Sequence, residues 1–174
     1  ESSESATSYL IEEGCRNILL INGFSNQYKK LARIDGYVCA LYKHDIPFQE
    51  HYILRRPGKQ PSHIEIEVLL NQFLEEGHPV DGILATSERS ALGALQALRS
   101  RNIRIPEDVK IVSYDNTICS ILTSPTLSSL ERHPDLVAKE ACRILTEIID
   151  GTDHRNEAVY IPTDLIRRQS SAKK

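Results

Sequence analysis

An aspartate placed directly behind an apolar run is the most informative chemical feature of the chain. Asp115 follows Val109-Lys110-Ile111-Val112-Ser113-Tyr114. A carboxylate there can accept two hydroxyl hydrogens at once, which suits a sugar. Asp-Asn ahead of a loop also serves as a turn, so both uses stay open. Arg33 lies in an amphipathic segment after the first apolar run, where it is either a ligand contact or a surface arginine. Ser87-Glu88 opens the segment after the third run, and Ser87 also suits a helix cap. The basic stretch Leu54-Arg55-Arg56-Pro57-Gly58-Lys59 could meet phosphate, but a solvated charge run is the simpler reading.

Other chemistries lack their residues. The sequence has no G-x-G-x-x-G, no G-x-x-x-x-G-K-[ST] and no G-x-S-x-G, so no dinucleotide loop, phosphate loop or hydrolase elbow is nominated. The six histidines (44, 51, 63, 78, 133 and 154) form no i, i+4 pair and have no flanking cysteine. No metal ligand set, cofactor or catalytic residue is therefore expected. What remains resembles a binding cleft rather than an enzyme.

The elements that must position these residues alternate between strand-like and helix-like. Ser5–Glu13, Gln27–Lys43, Ile64–Glu76, Ser87–Ser100 and Pro134–Asp150 carry apolar residues three or four apart and read as helices. Gly14, Gly77 and Gly151 stand at three of their ends. Arg16–Gly23, His51–Leu54, Val80–Thr86 and Val109–Tyr114 are short apolar runs between breakers, the pattern of strands buried on both faces. Val159–Ile161 and Asp164–Ile166 read as short strands, 115–127 as an irregular link, and 169–174 as a frayed tail. The expectation is an α/β fold: a parallel sheet flanked by helices on both faces. Ligands in such sheets bind beyond the carboxyl ends of the strands. That selects Gly23–Asn26, Thr86–Glu88 and Tyr114–Asn116.

Composition narrows the class. The 174 residues are enough to bury a core without metal or disulfide staples. Lys+Arg 21 against Asp+Glu 24 gives a net charge of −3, which leaves no overall electrostatic footprint for nucleic acid. No apolar run approaches the roughly 18 residues of a membrane span, and the polar start ESSESATSYL is not a secretion signal. Cys15, Cys39, Cys119 and Cys142 form no C-x-x-C pair and read as free thiols of a cytoplasmic protein. The chain begins without Met and contains none, so it reads as part of something longer.

Six segments, in colinear order, resemble one family. YLIEEGCRNI (9–18) resembles "YLIEEGHKNI", RIDGY (33–37) "R-x-x-G-[YFW]", and ALGALQAL (91–98) "ALGALRAL". IPEDVKIVSYDN (105–116) resembles "IPEDVSVVGFDN", SPTLSSL (124–130) "SPPLTTI", and LIRRQS (165–170) "LIxRxS". Together they resemble the effector-binding core of the lactose-repressor/galactose-repressor (LacI/GalR) family of bacterial transcription regulators. The resemblance implies a periplasmic-binding-protein-like carboxyl-terminal lobe, about 15–127 and 158–174, with elements of the amino-terminal lobe at about 1–14 and 128–157. It implies that the helix-turn-helix head and most of the amino-terminal lobe lie outside these residues. The stripe Val137, Ala141, Leu145, Ile148 should then be under-covered.

Carried over by position, the resemblance makes Arg33 and Asp115 effector contacts. Glu1 falls where many members place a ligand-binding aspartate, and Arg132 where a polar cleft residue often lies. Ser87-Glu88 replaces the usual Asn-Asp, and Ser113 a usual Gly. The implied ligand is a sugar, or a sugar phosphate given two arginines near the mouth. The implied assembly is a homodimer using Leu92, Leu95 and Leu122, with Leu92 and Leu95 as simple intrachain core the competing reading. DNA would be reached only through the helix-turn-helix. A periplasmic-type sugar-binding protein of a transport system is the alternative, since fold alone does not fix function.

Overall fold

The computed structural model describes residues 1–23, 27–151 and 158–172. Six strands form one sheet: β1 (Ile18–Asn22), β2 (Ile53–Arg55), β3 (Gly82–Ala85), β4 (Lys110–Tyr114), β5 (Ser128–Glu131) and β6 (Asp164–Ile166). Their order across the sheet is β2-β1-β3-β4-β5-β6. All neighbours are parallel except the β5–β6 pair. The register sets Ile21 beside Ala85, Leu84 beside Val112, and Tyr114 beside Leu130. The carboxyl ends of β1, β3, β4 and β5 therefore meet along one edge.

Side-chain alternation in the strands feeds two cores. Leu19, Ile21, Ile83, Ala85 and Ile111 point to one face. There they pack on α3 (Ser62–Glu75) through Ile66, Leu70 and Phe73, and on α4 (Glu88–Ser100) through Ala91, Ala94 and Leu98. Ile18, Leu20, Leu84, Val112, Tyr114 and Leu130 point to the other. That face is covered by Ala6 and Leu10 of α1 (Ser2–Glu12) and by Tyr37 and Leu41 of α2 (Gln27–Lys43). Strands buried on both faces explain the unbroken apolar runs. Two glycines allow close helix contacts. A Cβ at Gly93 would lie 2.4 Å from the His63 carbonyl of α3, and one at Gly36 would lie 2.9 Å from the Ser3 Cβ of α1.

α1 is part of the sheet's own helical cover, and β5 is an inner strand between β4 and β6. The structure corrects three expectations. The link 115–127 contains a short helix, α5 (Ile118–Leu122). Val159–Ile161 is not a strand. The tail is anchored rather than frayed over its described residues, 169–172: Ser170 and Ser171 are fully buried. Ser170 Oγ donates to the Ile111 carbonyl at 2.6 Å, and Ser171 Oγ donates to Ser128 Oγ at 2.6 Å.

α6 (Pro134–Ile149) stands apart, with no buried residue. Val137, Leu145 and Ile148 are 49, 59 and 49% exposed, so its apolar stripe lies uncovered as the sequence led us to expect.

Candidate functional site at the strand ends

The edge where β1, β3, β4 and β5 end carries a cavity of about 280 Å³, near the small end of ligand pockets. Glu1, Ser3, Arg33, Tyr114, Arg132 and Thr163 contribute to its lining. Three of the expected effector residues, Glu1, Arg33 and Arg132, thus come together. They arrive from the start of α1, from α2 and from the segment after β5.

Asp115 joins them through Arg132. The turn after β4 takes left-handed backbone angles at Asp115 (φ 87°) and Asn116 (φ 45°). The Asp115 amide donates to the Leu130 carbonyl at 3.0 Å. Its Oδ1 accepts from Arg132 Nη1 at 2.9 Å. Both side chains keep solvent access, 33% for Asp115 and 51% for Arg132, so a polar ligand can reach the pair.

Arg33 is held from two sides. Its guanidinium carbon sits 4.0 Å from the centroid of the Tyr114 ring, and Nη1 donates to the Thr86 carbonyl. Burial, and secondarily the like charge of Arg132, lower the Arg33 pKa, while Tyr114 and Asp115 act the other way. Burial raises the Tyr114 pKa, so its phenol stays neutral. The Tyr114 hydroxyl lies 2.6 Å from Ser3 Oγ. The sequence selects Tyr114 only as part of the strand-end group Tyr114–Asn116, with no role of its own, and it does not mark Ser3 at all.

Ser87 and Glu88 do not line the cavity. Ser87 caps α4, its Oγ accepting from the Ser90 amide at 3.3 Å. Glu88 is only 6% exposed, and its carboxylate is committed elsewhere. It accepts from the Thr117 amide at 2.8 Å and from the hydroxyls of Thr117 and Ser120. Its charge is thus taken up at the start of α5. Ser113 is likewise buried in the sheet, its Oγ 3.4 Å from the Ser128 carbonyl. Of the strand-end group 23–26, Phe24, Ser25 and Asn26 lie outside the described residues.

The basic stretch closes on an acid of its own. Glu65 accepts from Arg56 Nε at 2.7 Å and from the amides of Gly58, Lys59 and Gln60 at 3.1, 2.6 and 2.9 Å. The Arg56 hydrogen bond, helped by those amides, holds its pKa down to about 2. Among the described residues no three His, Cys, Asp or Glu side chains gather as a metal site. No helix among them is long and apolar enough to cross a membrane.

The expected dimer residues divide. Leu95 is 3% exposed and belongs to the core, which is the competing reading given for it. Leu92 is half-buried, and Leu122 is 75% exposed. Leu92, Leu95 and Leu122 all contribute to the lining of a groove of about 570 Å³ between α4 and α5, Leu95 from its almost fully buried position.

A family model described as a periplasmic binding protein-like domain matches residues 7–171. The chain belongs to that family. Its relatives are transcription regulators. It is 27% identical over 166 residues to an HTH-type transcriptional regulator of Lachnoclostridium phytofermentans, covering 95% of this chain and 48% of the relative. It is 28% identical to the HTH-type transcriptional repressor PurR of Vibrio atlanticus, again covering 95% and 48%. A solved sugar-binding transcriptional regulator of the LacI family from Escherichia coli, complexed with phosphate, superposes with a TM-score of 0.81 at 29% identity. That match covers 97% of this chain and 59% of the other. The domain is thus of the LacI-regulator kind, and the chain spans about half the length of the curated relatives it matches.

Proposed function

We propose that this domain is the effector-sensing part of a bacterial DNA-binding transcription regulator, taking a sugar or sugar phosphate at the strand ends. The convergence of Arg33, Asp115, Arg132 and Glu1 on one edge carries the reading. Asp115 and Glu1 supply acceptors for hydroxyls. Arg33 and Arg132 supply donors for ring oxygens or for an anionic substituent.

The uncovered stripe of α6 is, in this reading, the surface on which a second lobe rests. The effector would bind one arrangement of the lobes better than another, and that difference is what a DNA-binding head would sense. DNA contact belongs to a helix-turn-helix outside these residues. Two copies would pair along α4 and α5 through Leu92 and Leu122. The protein would act in the cytoplasm, without catalysis and without a cofactor.

The test is thermal denaturation against sugars and sugar phosphates. A ligand at 100 times its dissociation constant adds about 2.7 kcal/mol, or roughly 5–10 °C in a domain of this size. The shift should vanish in Asp115→Ala and Arg33→Ala. A shift that survives both substitutions would move the effector to another site.

A further inference from the structure

One uncharged side chain of the strand-end site touches both α1 and α2. Tyr114 ends β4, immediately before Asp115. Its ring lies under the Arg33 guanidinium of α2 at 4.0 Å. Its hydroxyl meets Ser3 Oγ of α1 at 2.6 Å, and both residues are only 3% exposed. Ser3 sits in the first turn of α1, beside Glu1 and Ser2 of the cavity wall. Gly36, three residues after Arg33, lets that turn rest directly on α2.

We infer that Tyr114 is a positioning residue for the effector site, with two separable parts. The ring fixes Arg33, and the hydroxyl fixes the turn that presents Glu1. The inference rests on the reading of the strand-end cavity as the effector site.

The ring is the face of a quadrupole set against a partly desolvated cation, an arrangement that attracts and orients. With the Thr86 carbonyl accepting from Nη1, the guanidinium is held at two points before any ligand arrives. An arginine fixed in advance loses less freedom on binding than one recruited from solvent. The hydroxyl acts on a different group. In so buried a place, removing one partner leaves the other wanting a bond. Thr163 Oγ1 also donates to Ser2 Oγ at 3.0 Å, so losing the Tyr114 bond should loosen the turn rather than release it.

The two parts separate by substitution. The Arg33 Nε–Hε resonance, identified by its absence in Arg33→Lys, reports the ring through its ring-current shift. It should persist in Tyr114→Phe and Ser3→Ala and move to the value of a solvated arginine in Tyr114→Leu. Should the leucine variant fail to fold, fluorinated phenylalanines at position 114 drain the ring face of charge at nearly constant shape. The affinity for inorganic phosphate, used as the probe, should then fall stepwise with fluorine number. Amide exchange in the first turn of α1 should rise about fivefold or more in Tyr114→Phe and equally in Ser3→Ala, with no further rise in the double variant. An Arg33 resonance unmoved by both ring series, or a turn equally protected in Tyr114→Phe, would overturn the corresponding half. If no sugar, sugar phosphate or phosphate binds the unaltered chain, the effector reading fails. The resonance and exchange data still judge the positioning role by themselves.

Discussion

Replacing Glu88 by alanine tests whether the carboxylate is a structural clamp or a ligand contact. Three donors converge on it: the Thr117 amide and the hydroxyls of Thr117 and Ser120. Hydrogen bonds to a charged group contribute roughly 1.5–3 kcal/mol each, and a buried donor left without a partner adds its own cost. The full sum overstates the loss. The Thr117 hydroxyl also accepts from the Cys119 amide at 3.3 Å, and Thr117 is exposed enough for water to take over. Ser120 is fully buried and has no such relief. A net loss of about 3 kcal/mol is expected, which lowers the melting temperature by roughly 6–12 °C in a domain of this length. The loss should be local, with amide exchange rising in 115–123 while β1 and β3 stay protected. Glu107→Ala, at an exposed position, is the control and should shift melting by no more than about 1–2 °C, as surface substitutions do. A Glu88→Ala melt within that control range would refute the clamp, as would abolished effector binding with unchanged exchange in 115–123.

Acid should act through Glu65. Its folded pKa, about 2, lies below the unfolded value near 4.5, so its contribution is complete above pH 4.5 and is lost as pH falls toward 2. The melting temperature of Glu65→Gln should therefore fall less than that of the parent between pH 5 and pH 2, and parallel acid limbs would contradict this. Leu122→Glu should leave the fold within about 0.5 kcal/mol, because the side chain is 75% exposed. In sedimentation velocity it should weaken self-association at least about tenfold. An unchanged association constant would take the α4–α5 groove out of the dimer.

Periodicity revealed the layers because each strand serves two cores. Leu19 and Ile21 face α3 and α4 while Ile18 and Leu20 face α1 and α2, so the run carries no polar break. β5 carries no such mark. Its Ser128 and Ser129 are fully buried, yet they are held by hydroxyl bonds to the tail and turn rather than by apolar contact. Ser128 accepts from the Arg168 amide at 2.7 Å, a pairing 40 residues away that no local window contains. The tail was misread for the same reason, since serine looks like solvent until its partner is known. Of the candidate site, Arg33 and Asp115 stand out by their place after strands, while Glu1 and Arg132 enter only through the family resemblance. The role of Glu88 is not legible, because a carboxylate at a strand end and one turned onto a neighbouring helix look alike in sequence.

The Asp115–Arg132 pair shows how one site could serve a sugar and a sugar phosphate. The two residues lie on different connections, Asp115 between β4 and α5 and Arg132 between β5 and α6, and a single 2.9 Å bond spans them. A partly exposed ion pair of this kind contributes at most about 1 kcal/mol, so exchanging it for ligand bonds costs little. In the proposed reading, hydroxyls take the Asp115 carboxylate and Arg132 turns toward the ligand. Arg33, fixed on Tyr114 and Thr86, does not need to move. The rigid arginine would then define where the ligand sits. The exchangeable one, on the segment that leads into the uncovered helix α6, would register that the ligand has arrived. In that reading a signal leaving along this segment would start from a site arginine whose partner changes on binding.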